Sequence, residues 1–198
     1  MTQTLYLLAT LGALGAFDTV YFHEWRARLP ARSPAVRPEL LLHAARDFIY
    51  GMLFATLPAI AWQGAWVGAL VAALAAEIVI TLSDFVVEDR VRNPLGGVYP
   101  GERVTHALMG IVYGAMLACL APVLWRWAGA PTGLAVHRAA IPWPMRALML
   151  VMAAGVVASG LRDLAAALEL PGSQWPWTRI GEPAGTTADI RNDRTIRR

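Results

Sequence analysis

The sequence is dominated by runs of apolar residues that are long enough to cross a lipid bilayer. The longest run extends from Phe48 to Ser83 and contains a single charged residue, Glu77. As one helix it would measure about 54 Å at about 1.5 Å per residue, whereas the hydrocarbon core of a bilayer is about 30 Å thick. We therefore expect this run to form two short spans that turn at residues 62–64.

Three further apolar runs bring the expected number of membrane-spanning helices to five. They extend from Leu5 to Phe22, from Val104 to Leu124 and from Ala147 to Leu161. The composition agrees, because 57% of the residues are hydrophobic and only 16% are charged, against roughly half and a quarter in soluble domains. The sequence thus predicts an all-α integral membrane protein surrounded by lipid. Its scattered net charge of +3 gives no basic surface for a nucleic acid.

The basic residues, all of them arginine, orient the predicted bundle. Fourteen follow the first, third and fifth spans, and three lie in the other loops. Because basic residues favour the cytoplasmic side, we expect the N-terminus outside and the C-terminus in the cytoplasm, in a bacterial-type inner membrane. Residues 1–170 would form the bundle, and residues 171–198 a basic, disordered cytoplasmic tail.

Two parts of the sequence carry a similar pattern of polar residues. Segment 24–30 recurs as segment 88–94, with Glu, two Arg and Pro at matching positions. The pattern Glu-x-x-x-His-Ala at 39–44 recurs at 102–107, and a Tyr-Gly pair follows each copy. Self-similarity at a nearly constant offset is typical of internal duplication, although basic loops that end in proline recur in many membrane proteins.

This similarity predicts two tandem helix-pair repeats in the same orientation, as in parallel transporter repeats. The first repeat would cover about 4–66 and the second about 67–126. Together they would form a four-helix core, which a fifth helix at about 145–168 completes.

Histidine and carboxylate side chains concentrate at the predicted cytoplasmic ends of the spans. Such groups are costly at membrane depth and usually mark a functional site or a compensated pair. In each repeat a glutamate and the histidine four residues later should share a helix face, and a second glutamate comes from the partner helix. These six predicted metal ligands are His43, His106, Glu24, Glu88, Glu39 and Glu102.

Carboxylate-bridged dimetal helix bundles use a comparable set of ligands. Their motif is Glu-x-x-His, whereas the spacing here is Glu-x-x-x-His, so the similarity concerns ligand chemistry and not family membership. We hypothesise a non-haem site for one or two ions of Fe, Mn or Zn, which oxidises or hydroxylates a hydrophobic small-molecule substrate. Haem is disfavoured, because so many carboxylates would crowd an anionic porphyrin. The pattern identifies no catalytic residue, substrate or oligomeric state.

Seven further polar residues are candidates for the same site, namely Asp47, Asp84, Tyr50, Tyr113, Asp18, Glu77 and His23. The two tyrosines are expected to donate hydrogen bonds to the ligands. Asp18 and Glu77 lie inside apolar runs and have no counterparts across the repeat. His23 also lacks one, because Val87 occupies the matching position.

Two other interpretations remain open at the level of sequence. In the first, the polar groups only fasten the helix ends of a non-enzymatic binding or accessory module, and Glu88 pairs with Arg92 one turn further on. In the second, the deep carboxylates Asp18 and Glu77 serve a small proton-coupled transporter.

Overall fold

The computed structural model describes residues 1–137 and 139–173, so the predicted tail lies outside the described residues from residue 174 onwards. The described chain is mostly helical, which confirms the predicted all-α fold. Its five long helices are α1 Thr2–Phe17, α2 Arg37–Thr56, α3 Trp66–Arg92, α4 Pro100–Ala128 and α5 Trp143–Ala167.

Short helical segments connect the long helices at one end of the bundle. α1 continues into a π-helical segment, Asp18–Ala27. Arg28 then adopts a left-handed conformation, with φ 52°, and leads into a 3₁₀ helix at Leu29–Arg32. A second 3₁₀ helix, Asn93–Leu95, comes after α3. A proline lies in the first turn of both α2 and α4, where its missing N–H removes no helical hydrogen bond.

Four helical stretches are long and apolar enough to cross a membrane, namely Thr2–Ala27, Trp66–Leu95, Pro100–Ala128 and Trp143–Ala167. This finding is consistent with a membrane protein. α2 is not among them, because it begins at Arg37, well before the apolar run that starts at Phe48, and its first half is therefore polar. A fifth crossing by α2 stays a prediction.

The helices pack mainly as α2 along α5 and α3, and α1 along α4. Their common core is made of fully buried side chains, among them Leu5, Leu8, Leu53, Leu57, Leu70, Met116, Leu120 and Met149. Gly51 permits the close approach of α2 and α5, since a Cβ there would lie 2.5 Å from Val157 Cγ2. This packing holds the polar first half of α2 against the end of α5.

A small sheet lies at the opposite end of the bundle. Strand β1, Ile60–Gln63, pairs antiparallel with β2, Gly133–Val136. Gly64 comes directly after β1 with φ 58° and begins the turn into α3, close to where the sequence predicts it. The strands themselves were not predicted, because four residues are too few for a clear alternating pattern.

Candidate functional site

At the end of the bundle away from the sheet, five helix ends bring together a cluster of buried polar side chains. The contributing segments are the π-helical segment, the starts of α2 and α4, and the ends of α3 and α5. Each member of this polar cluster is at most 6% exposed, and the members are Asp18, His23, Glu39, His43, Asp84, Glu88, Arg92, Glu102, His106 and Asp163. Six buried carboxylates thus face one fully buried arginine, and buried charge of one sign calls for further positive charge.

Two histidines and three carboxylates lie together on one side of the polar cluster. Asp18 Oδ2 lies 3.0 Å from His106 Nε2 and 3.2 Å from His23 Nε2. His106 Nδ1 lies 3.6 Å from Glu88 Oε1, and His23 Nε2 lies 3.2 Å from Glu102 Oε1. Asp18, His23 and His106 could hold a metal ion, as could Glu88, Glu102 and His106, because their ligand atoms lie within 4.8 Å of one another. We call these five residues the His106 site.

Several atoms of the His106 site are buried and make no hydrogen bond. They are Asp18 Oδ1, Glu88 Oε2, Glu102 Oε2 and His106 Nδ1. Leaving such a group unpaired costs about 1–3 kcal/mol, and native proteins contain few of them. Imidazole nitrogens and carboxylate oxygens are ligands for divalent Fe, Mn and Zn. A bound cation would therefore satisfy atoms that the described protein groups leave unpaired.

The π-helical segment brings Asp18 and His23 into this site. Residues five apart in an α-helix point about 140° away from each other around the axis. In a π-helix the repeating hydrogen bond runs over five residues, so both side chains lie near one face. The sequence pattern leaves both residues among the secondary candidates, because neither has a counterpart across the repeat. π-Helical turns often occur at functional sites, but no feature of residues 18–27 predicted one.

The other side of the polar cluster is organised around His43. Its Nε2 lies 3.2 Å from Asp84 Oδ2 and 3.8 Å from Glu39 Oε1, and its Nδ1 lies 3.8 Å from Asp163 Oδ2. We call these four residues the His43 group. The ring of His43 stacks on His23, with 4.6 Å between centroids, so the group lies directly beside the His106 site.

Arginines neutralise the carboxylates of the His43 group. Each carboxylate has its own partner: Arg46 donates to Asp84, Arg92 to Glu39 and Arg162 to Asp163. Arg92 also donates from Nη1 to Glu102 Oε1 over 2.6 Å, and so ties Glu39 to Glu102, its match in the second repeat. The alternative interpretation of the sequence pairs Arg92 with Glu88 on its own helix, whereas its guanidinium reaches α2 and α4. The three arginines, of which only Arg92 is a member of the polar cluster, are thus partners that the predicted ligand set does not include.

The remaining predicted residues lie beside the polar cluster or deeper in the bundle. Glu24, a predicted ligand, forms an ion pair with Arg162 on α5 and is absent from the two possible metal-binding triads found in the described residues. Asp47 is half-buried on α2 and borders a cavity at the side of the bundle.

Tyr50, Tyr113 and Glu77 form a separate group. Tyr50 donates to Glu77 Oε1 over 3.1 Å, and Thr81 donates to the same oxygen over 2.9 Å. Tyr113 donates to the carbonyl oxygen of Leu74 over 3.1 Å. The two tyrosine rings meet edge to face, with 6.4 Å between their centroids. In the two hydrogen bonds just described, both hydroxyls donate to acceptors outside the polar cluster.

Comparison of the chain with protein-family models, with curated proteins and with solved structures finds no significant match.

Proposed function

We propose that the His106 site binds a divalent metal ion, and that the protein is a membrane-embedded oxidase or hydroxylase of a hydrophobic small molecule. Asp18, His23 and His106 provide two imidazoles and one carboxylate, the set that non-haem Fe(II) enzymes use while leaving positions for O₂ and substrate. Glu88 and Glu102 add the further carboxylates that are typical of dimetal bundles. Fe is thus favoured over Mn and Zn.

The charge balance of the His106 site carries this proposal, because unpaired buried atoms occur in both parts of the polar cluster. Among the described residues, no arginine forms an ion pair with Asp18 or Glu88, although three arginines serve the neighbouring His43 group. A metal ion supplies the missing positive charge and the missing contacts at once. We expect one ion per chain, because a second ion at His43 would have to displace arginines from Asp84 and Glu39.

The expected chemistry takes place at the cytoplasmic end of the bundle in the predicted orientation, with the N-terminus outside a bacterial-type inner membrane. As an oxidase, the protein would transfer two hydrogen atoms from the substrate to O₂, which leaves as H₂O₂. As a hydroxylase, it would insert one oxygen atom of O₂ into a C–H bond. The second atom then leaves as water, with two protons and two electrons from an external reductant.

Metal analysis of the purified protein tests the proposal. His106→Ala and His43→Ala form a matched pair, because both histidines are buried and both lie four residues after a glutamate. We expect bound metal in the wild-type protein and in His43→Ala, and loss of it in His106→Ala. Size-exclusion chromatography and circular dichroism would show that both variants are folded. Absence of metal from folded wild-type protein after reconstitution with Fe(II), Mn(II) and Zn(II) would contradict the proposal.

A second candidate function is a non-enzymatic binding or accessory module whose polar cluster is purely structural. Arg92 favours it, because this side chain joins α2, α3 and α4 through Glu39 and Glu102. In that case both histidine variants would lose stability alike and neither protein would bind metal. The proton-coupled transporter stays a prediction, which proton flux in liposomes with Asp18 and Glu77 neutralised would test.

A further inference from the structure

A cavity of about 380 Å³ lies between the pair α1–α4 and the pair α2–α5. Val20 on the π-helical segment and Val151 on α5 line it and are 65% and 68% exposed, so the cavity opens at the side of the bundle. In a membrane that side faces the acyl chains. A molecule dissolved in lipid could therefore enter without passing through water.

The two ends of this lateral cavity differ in polarity. Leu11, Phe54 and Met152 line the end that lies towards the middle of the bundle. Asp18, Arg46, Asp47 and Ser159 line the end that lies at the polar cluster. A long apolar body with one polar head fits this gradient, because each part meets a surface of its own kind.

The polar end reaches the His106 site directly. Asp18 belongs to that site, is 2% exposed, and has a second carboxylate oxygen without a hydrogen-bond partner. His106 lines a smaller cavity of about 190 Å³ on the other side, which shares Arg46, Tyr50 and Met109 with the larger one. The head of a molecule in the lateral cavity would thus lie beside the proposed ion.

The charges at the polar end select the kind of head. Among the described residues, Arg46 donates one side-chain hydrogen bond, to Asp84, and other N–H groups of its guanidinium can donate to an oxygen acceptor. Asp18 and Asp47 lie at the same end, so the single guanidinium is already outnumbered by carboxylates. In the protein without the ion, an anionic head would be repelled, whereas a hydroxyl can accept from Arg46 and donate to a carboxylate.

We infer that the lateral cavity is the substrate site, and that the substrate is an uncharged amphiphile with a phenol or alcohol head and a hydrocarbon tail. The inference rests on the proposed function for the statement that this ligand is the substrate. Binding itself needs no ion, because Arg46, Asp47 and the apolar walls are parts of the protein. Binding and metal content can therefore be measured separately.

Three compounds with the same decyl tail test which head group the cavity prefers, namely 4-decylphenol, 4-decylbenzoate and decylbenzene. Each is offered to chelator-treated protein in nanodiscs, and bound ligand is measured by equilibrium dialysis against empty nanodiscs. We expect saturable binding of the phenol and about tenfold weaker binding of the other two, a difference of about 1.4 kcal/mol. Equal affinities for all three, or tighter binding of the benzoate, would overturn the inference.

Glycine substitutions test whether the phenol binds in the lateral cavity. A Cβ at Gly155, which lines the lateral cavity, meets nothing within 4 Å, so Gly155→Leu should fill the cavity without disturbing its walls. Gly114→Leu on α4 is the matched control, because its Cβ also meets nothing within 4 Å and it lines neither cavity. We expect about tenfold weaker phenol binding in the first variant and unchanged binding in the second.

Two results distinguish this inference from the proposed function. Gly110→Leu would fill the smaller cavity, and loss of phenol binding there but not in Gly155→Leu would overturn our assignment. Metal content is measured in every variant. If the wild-type protein binds metal but no phenol, the proposed metal site is supported and the inference about the lateral cavity is contradicted. If it binds phenol but no metal, the inference about the lateral cavity is supported and the proposed function is contradicted.

Discussion

His43 and His106 occupy matching positions in the sequence pattern, yet their surroundings differ in charge. Every carboxylate of the His43 group is paired with an arginine, whereas Asp18 and Glu88 have no arginine partner among the described residues. The difference teaches that the type of ligand residue does not by itself make a metal site. Under the proposed function, the positions of the compensating positive charges decide which of two similar histidines is available to an ion.

Arg92→Met should have the largest effect, because it leaves Glu39 and Glu102 buried without their partner. Removing one member of a buried ion pair costs about 3–5 kcal/mol. We expect a strongly lowered midpoint of thermal unfolding in detergent, monitored by tryptophan fluorescence. Arg103→Gln is the control, since its ion pair with Asp89 is 60% and 74% exposed and should contribute little. Equal midpoints for the two variants would show that the buried Arg92 contributes no more to stability than an exposed ion pair.

Removal of the ion should destabilise the protein only through the His106 site. Saturation of a site at about 100 times its Kd stabilises a folded protein by about 2.7 kcal/mol. A chelator should therefore lower the unfolding midpoint of metal-loaded wild-type protein and of His43→Ala, and leave His106→Ala unchanged. A chelator effect that persists in His106→Ala would place the ion elsewhere.

Asp18→Asn and Asp84→Asn compare one carboxylate from each side at nearly constant volume. We expect the first to weaken metal binding by about tenfold, equal to about 1.4 kcal/mol, because a charged ligand is lost. The second should keep the metal affinity and lower stability, because Arg46 loses its partner. Competition with a fluorescent metal indicator measures the affinities. Equal losses of affinity would mean that both sides hold the ion.

Tyr113→Phe should have the smallest effect. Its hydroxyl donates to the Leu74 carbonyl and not to a ligand, and such a bond contributes about 1 kcal/mol. We expect slightly lower stability and unchanged metal binding, measured by the same melts and titrations. A fall in metal affinity would show that this tyrosine acts on the His106 site after all.

Much of the architecture could be predicted from the sequence, because it depends on patterns along single helices. The apolar runs predict an all-α fold. A proline precedes each Glu-x-x-x-His pattern, and it lies in the first turn of α2 and of α4. The concentration of His and carboxylates at one set of helix ends was visible before any packing was known. The tandem repeats and the crossing by α2 stay predictions.

The composition of the site could not be predicted in the same way, because it depends on winding and on contacts between helices. Asp18 and His23 meet only because the chain is π-helical there. Spacing along α3 allows Arg92 to pair with Glu88, as one interpretation of the sequence has it, but its side chain reaches Glu39 on α2 and Glu102 on α4 instead. Neither of these contacts can be predicted from the spacing of residues along a single helix.

The π-helical segment also means that this ligand geometry is stored in the backbone as one surplus residue in a turn. Deleting a single residue between Asp18 and His23, for example Val20, would let the segment rewind as an ordinary α-helix and keep every ligand in the chain. Asp18 and His23 would then stand four residues apart and still share a helix face, whereas the same rewinding without a deletion would leave them about 140° apart. The winding of this stretch and the number of residues between Asp18 and His23 must therefore change together if the two side chains are to stay in contact.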